Sequence, residues 1–189
     1  MSKKHIISNI ILFQIGWFAC VLGAAYQYPW IGTAIALSVI AIHIIKAGNR
    51  PAELRLVFVA VVIGVCFETL LMNSGLTQYS EGKVIENIAP VWMILMWPLF
   101  ATTLNVSMKW MKPLNLSIAA ISGAVLAPVA YYSGQQLGAV TFNNTYQSLL
   151  YIALGWSLLM PLVIITARKN NGFEKKNTKV KQMAEATHV

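Results

Sequence analysis

The chain has no aspartate among its 189 residues and only two cysteines, Cys20 and Cys66, each inside an apolar stretch. The first absence removes many carboxylate-based metal and acid–base arrangements; the second removes a disulfide framework and a thiolate metal site. Charge is scarce as well: 11% of the residues are Asp, Glu, Lys or Arg, where a soluble domain carries about a quarter. His5, His43 and His188 belong to distant segments, and there is no HExxH, GxSxG, Walker or dinucleotide fingerprint. No catalytic residue, metal or cofactor is therefore expected, and the chain is not expected to be an enzyme by itself.

What the sequence has in place of charge is oil. Hydrophobic residues make up 57% of it, gathered in long blocks that leave the charge to short connectors and the two ends, as bilayer spans require. The expected fold is all-α, a polytopic bundle of six transmembrane helices at approximately 6–26, 30–45, 54–72, 88–104, 114–132 and 147–167. These spans form one domain, 1–169. At about 1.5 Å per residue they measure roughly 24 to 32 Å, close to a hydrocarbon core of about 30 Å. The second is the doubtful one, following its neighbour after only Gln27, Tyr28 and Pro29. Gly23-Ala24-Ala25 resembles a cleavage site, but Asn9, Gln14 and Gly16-Trp17 are too polar and bulky for a plain signal core, so the first helix is expected to be retained.

With the N-terminus in the cytoplasm, all but one of the 14 Lys and Arg residues fall on the inner side, the exception being Lys83. That distribution places both termini in the cytoplasm and requires an even number of spans. It also explains the net charge of +8 without nucleic acid, since the basic residues sit beside span ends. Residues 170–189 are lysine-rich and lack periodic apolar positions, so they are expected to form a disordered cytoplasmic tail.

The stretch GVCFETLL, 64–71, places Glu68 in the third span, about 7 Å beyond the bilayer midplane on the outer side. An ionised carboxylate there costs at least a few kcal/mol unless it faces protein or trapped water. No basic residue matches its depth, whereas Trp92, Tyr131, Tyr132 and Tyr151 do, so a neutral carboxyl bonded to tyrosine or tryptophan is expected. Trp17, Trp97 and Trp156 lie near the middle of their spans beside Gly16, Pro98 and Gly155, which suits either a packed core or an aromatic-lined intramembrane pocket. Trp30, Trp92 and Trp110 fall near span ends, where such rings anchor at headgroups. Gln14, Asn9 and Asn105 must find partners within the bundle. The candidate ligand-binding set is Glu68, Trp17, Trp97, Trp156, Tyr131, Tyr132 and Gln14.

The segments NIILFQIGWF (9–18), GVCFETLLMNSGL (64–76), APVWMILMWPLFATTLNVSMKW (89–110), SGAVLAPVAYYSGQQLGAV (122–140) and GWSLLMPLV (155–163) together resemble a family of small bacterial inner-membrane proteins described as a domain of unknown function. The resemblance covers nearly the whole chain except the basic tail. It implies a multi-pass protein of the bacterial inner membrane, an acid at Glu68 that is often aspartate in the family, and encoding near cyclopropane-fatty-acid synthase-like genes. That neighbourhood implies a link to a membrane fatty-acid-modifying enzyme and carries over no catalytic residue. Three functions follow as expectations. The first is lipid or fatty-acyl handling, with membrane lipid as partner and Glu68 bonding the ligand's polar end. The others are a small proton-coupled transporter using Glu68 and a structural assembly factor with a dry core.

Overall fold

A computed structural model describes residues 2–79 and 81–174. Six α-helices account for most of them: α1 Lys3–Ala25, α2 Pro29–Lys46, α3 Arg50–Asn73, α4 Val91–Leu104, α5 Leu116–Gln136 and α6 Thr145–Lys169. The chain is all-α apart from two strands of two residues each, β1 Thr77–Gln78 and β2 Thr141–Phe142, which pair antiparallel with Thr77 opposite Phe142. Five of the helices are long and apolar enough to cross a membrane. Large apolar side chains such as Phe58, Leu70, Ile121 and Leu158 stand exposed on the outside, the inverse of a soluble surface. The protein is a multi-pass membrane protein.

The helix starts follow local chemistry. Ser2, Asn115 and Asn144 each accept a backbone N–H from the first turn of α1, α5 and α6, and Pro29 sits in the first turn of α2, where its missing N–H costs nothing. The α1–α2 turn is tight, with Gln27 at φ 67° and Tyr28 N–H donating to Gly23 O at 2.7 Å. Just beyond it Gly32 lies against the backbone of Ala19 and Cys20, where no side chain fits. Gly123 plays the same part between α5 and α6, lying on the carbonyl of Trp156.

The span that looked doubtful, α2, is a full 18-residue helix; the short one is α4, with 14 residues, about 21 Å long. Pro90 holds an extended conformation at its N-cap and fixes the start. Its shortness is tolerable because α4 is the central helix, packed against α1, α2, α3 and α6, with Trp92, Trp97, Leu99 and Leu104 fully buried. Its C-terminal end is met by protein rather than lipid. Asn9 of α1 donates to Thr102 O at 3.2 Å and accepts from Ser107 Oγ at 2.7 Å, which satisfies polar groups that hydrocarbon would leave bare.

The bundle has two ends. One carries the α1–α2 turn and the β1–β2 ladder, which joins the α3–α4 loop to the α5–α6 loop. The other, the basic end, carries the N-terminus, the α2–α3 and α4–α5 connections and the segment after α6. That segment begins as a packed strap: Asn49 N–H donates to Gly172 O at 3.0 Å, and the Phe173 ring lies 4.9 Å from the ring of His43. The expected tail at 170–189 thus includes four residues, 170–173, packed on the bundle, with Glu174 exposed after them. Residues 175–189 lie outside those described.

Candidate functional site

Glu68 sits on α3 five residues before the helix ends and is 0% exposed. Three donors from three different elements close on its carboxyl group. Trp97 Nε1 of α4 donates to Oε1 at 2.7 Å, the Tyr131 hydroxyl of α5 donates to the same oxygen, and the Tyr79 hydroxyl, just after β1, donates to Oε2 at 2.9 Å. No Lys, Arg or His lies against it among the described residues. Burial, and next the charge of Glu68, push the Tyr79 phenol well above its ordinary pKa, so Tyr79 keeps its proton and remains a donor. An indole N–H can only donate, whereas a phenol can also accept. The arrangement therefore serves an ionised carboxylate directly and a protonated one by reversing a single phenol bond.

Local sequence makes this geometry possible. Gly64 lies one turn before Glu68, and a Cβ there would come within 2.7 Å of Trp97 Cδ1. Glycine at 64 lets the indole lie flat along α3 and reach the acid. Trp97 then stacks on Trp156 of α6, centroids 4.5 Å apart and planes at 18°, while Phe67 meets the edge of Trp97 and Phe100 that of Trp156. Trp156 Nε1 is buried and makes no hydrogen bond of good geometry, the Tyr131 hydroxyl being near enough for a weak one.

A cavity of about 110 Å³ opens beside Glu68. Its walls are Phe13, Trp17 and Val21 of α1, Met93, Met96, Trp97 and Phe100 of α4, Ala130, Tyr131 and Gly134 of α5, and Trp156 of α6. Trp92 and the α5–α6 loop residues Ala139 and Val140 close it at the β-ladder end. Apart from Glu68 and the polar edges of tyrosine and tryptophan, the lining is apolar. Helices α1 and α5 stand on either side of the cavity rather than packing closely together, and Phe13, Trp17, Met96 and Ala130 keep partial exposure. The cavity therefore opens on the flank of the bundle, where the surface is apolar, and extends about 12 Å along α1 from Val21 to Phe13.

Five of the seven residues singled out from sequence meet here: Glu68, Trp17, Trp97, Tyr131 and Trp156. The other two do not. Tyr132 follows Tyr131 by one helical step, about 100° around the axis, and is exposed on the outside of α5. Gln14 is exposed on α1, one step past the cavity-lining Phe13. Trp92, placed by its position among the interfacial anchors, is fully buried: its Nε1 donates to Glu81 O at 3.1 Å and its ring meets Tyr79 edge-on. Trp30 and Trp110 are exposed, as anchors are.

The structure also shows a second buried acid that sequence reasoning passed over. Glu53, in the first turn of α3 at the basic end, is 0% exposed. Its Oε2 is 2.8 Å from His43 Nε2, and its Oε1 accepts from Asn105 Nδ2 and from the Gly172 N–H of the strap, both at 2.7 Å. Lys112 extends the network by donating to Asn105 Oδ1 at 2.6 Å; burial holds that ammonium below its ordinary pKa. Among the described residues no group of three or more His, Cys, Asp or Glu is placed to hold a metal ion.

Compared with known protein families, residues 6–162 match the family described as Protein of unknown function (DUF2878). No curated protein and no solved structure matches the chain.

Proposed function

The chain belongs to the DUF2878 family, and from that premise we propose that it is a lipid-handling protein that takes an amphiphile from the bilayer into the Glu68 cavity. One observation carries this reading: an aromatic, apolar cavity open on the membrane-facing flank, with a single fully buried carboxyl group on its wall. The polar end of the ligand bonds Glu68, and Trp17, Trp97 and Trp156 flank the start of its chain. Apolar walls and a flank opening suit a molecule already dissolved in lipid.

The proposal includes a setting. The protein lies in the bacterial inner membrane with six spans and both termini in the cytoplasm, a topology supported by the gathering of basic residues at one end of the bundle with Lys83 alone at the other. It binds or presents lipid without transforming it, as accessory to a membrane fatty-acid-modifying enzyme. The resemblance described above supports that partner.

A second reading, a small proton-coupled transporter, is favoured by the hydrogen bonding of Glu68, whose partners serve both of its protonation states. One comparison separates the two. Lipid handling gives lipid co-purified with the wild type and diminished in Glu68→Gln while the bundle stays folded. Transport gives solute flux in proteoliposomes that Glu68→Gln abolishes. Co-purified lipid identical in amount and kind in both proteins overturns the lipid reading.

A further inference from the structure

The lipid-handling reading leaves open what kind of polar end the site accepts; resting on that reading, we propose that the Glu68 cavity selects an alkylammonium amphiphile, a positively charged nitrogen carried on a hydrocarbon chain. The argument starts from an imbalance of charge. Among the described residues Glu68 has three hydrogen-bond donors and no cation, and its two oxygens offer about four acceptor positions. One of these is unfilled by protein, and the carboxyl group lies on the wall of the cavity. A positive group arriving there supplies the countercharge that the surrounding helices withhold.

The rest of the lining narrows the class. Trp17, Tyr131 and Trp156 present aromatic surface to the same volume, while Trp97, held between α3 and Trp156, contributes its Glu68 hydrogen bond; aromatic faces attract cations most where water is excluded. A primary ammonium or a metal ion holds its water tightly, and a lining of this kind has too few oxygens to replace that water. An alkylated ammonium is weakly hydrated and loses little. A fatty acid is the poorer partner on electrostatic grounds, because two carboxyl groups sharing one site cannot both ionise and one of them must take up a proton to bind. A neutral alcohol can donate one hydrogen bond to the carboxylate and accept one from Trp156 Nε1, which is at most weakly engaged by Tyr131, but it brings no countercharge. Size sets a limit: a cavity of about 150 Å³ holds benzene, so the 110 Å³ here takes a substituted ammonium head only with part of it, and all of its chain, along the open flank.

The test uses the full chain in nanodiscs of phosphatidylglycerol, which contain no ammonium headgroup. Three probes share one twelve-carbon chain and differ in the head: trimethylammonium, alcohol and carboxylic acid. Binding is followed by tryptophan fluorescence and checked by native mass spectrometry. The expected result is ammonium binding about tenfold or more tighter than the alcohol, with Glu68→Gln removing the preference while alcohol binding persists. Trp17→Leu, which leaves every Glu68 hydrogen bond in place, is expected to lower the ammonium affinity selectively and covers the case in which Glu68→Gln fails to fold. Equal or tighter binding of the alcohol or the acid overturns the inference. So does an ammonium preference unchanged in Glu68→Gln, since anionic lipid would then be its source. Ala130→Trp, which fills the cavity mouth, keeps the two failures apart. If it blocks all three probes and none is preferred, the lipid-handling reading stands and the inference falls; if it blocks none, both fall.

Discussion

Glu68 and Glu53 lie on the same helix fifteen residues apart, about 22 Å along α3, and each is 0% exposed. Their surroundings are opposite. Glu53 is compensated: His43, Asn105 and the Gly172 N–H surround it, with Lys112 one bond further out. The groups that touch it come from α2, the end of α4 and the C-terminal strap. Glu68 is solvated by neutral donors alone and borders a cavity. Each acid has three hydrogen-bond partners, so the difference lies in their kind. An acid beside a histidine and the strap fastens elements together, whereas one held by neutral donors on a cavity wall has a side that a ligand can reach. Burial alone does not distinguish these cases, but the identity of the partners does.

The comparison breaks or sharpens by substitution. The largest effect is expected for Glu53→Leu, which strands the polar groups of His43, Asn105 and Gly172 together. Removing one partner of a buried ionic network costs about 3–5 kcal/mol. Glu68→Leu is expected to cost less, about 1–3 kcal/mol, because its donors are neutral and their interhelical bonds are worth little against a membrane-embedded reference state. Reversible unfolding in mixed micelles measures both, and a larger loss for Glu68→Leu contradicts the assignment of roles. Next comes Gly172→Ala. A Cβ at this position would lie 2.5 Å from Glu53 Cγ and 2.6 Å from Asn49 O, an overpacking of about 1–3 kcal/mol that lifts the strap. Faster tryptic cleavage at Lys169, with lipid retention at Glu68 unchanged, is the expected result. The smallest effects belong to Gln14→Leu and Tyr132→Phe, each within about 0.5 kcal/mol and neutral for ligand retention, since both side chains lie outside the cavity.

The same contrast shows which parts of the molecule were legible in sequence. Glu68 was legible because an acid within a long apolar run has no ordinary explanation. Glu53 was not, because it stands between Arg50 and Arg55 at a span end, where a charged residue needs no explanation. Its closest backbone partner, Gly172, is 119 residues away, and no local pattern encodes that pairing. The aromatic residues followed depth but not direction. Tyr131 and Tyr132 occupy the same level, and only packing against α6 decides which turns inward. Trp92 was misplaced because its closeness to a span end suggested the interface, whereas the loop carrying Tyr79 and Gly82 folds over it. The apolar blocks located all six helices, but the length of α4 was overestimated, since hydropathy continues through Ile88 and Ala89 into residues that are not helical.

The fastening of α6 to α3 has a mechanical consequence. At one end the pair is joined by the two-residue ladder and by Ser148 Oγ donating to Leu76 O at 2.6 Å; at the other it is joined by the strap on Glu53. With α3 and α6 tied at both ends, the less fastened edge of the bundle is the one where α1 and α5 face each other without close packing. On the lipid-handling proposal, exchange through such an edge is two-dimensional traffic: the pace of loading follows a guest's mole fraction among the surrounding lipids, and its concentration in water matters only through partitioning.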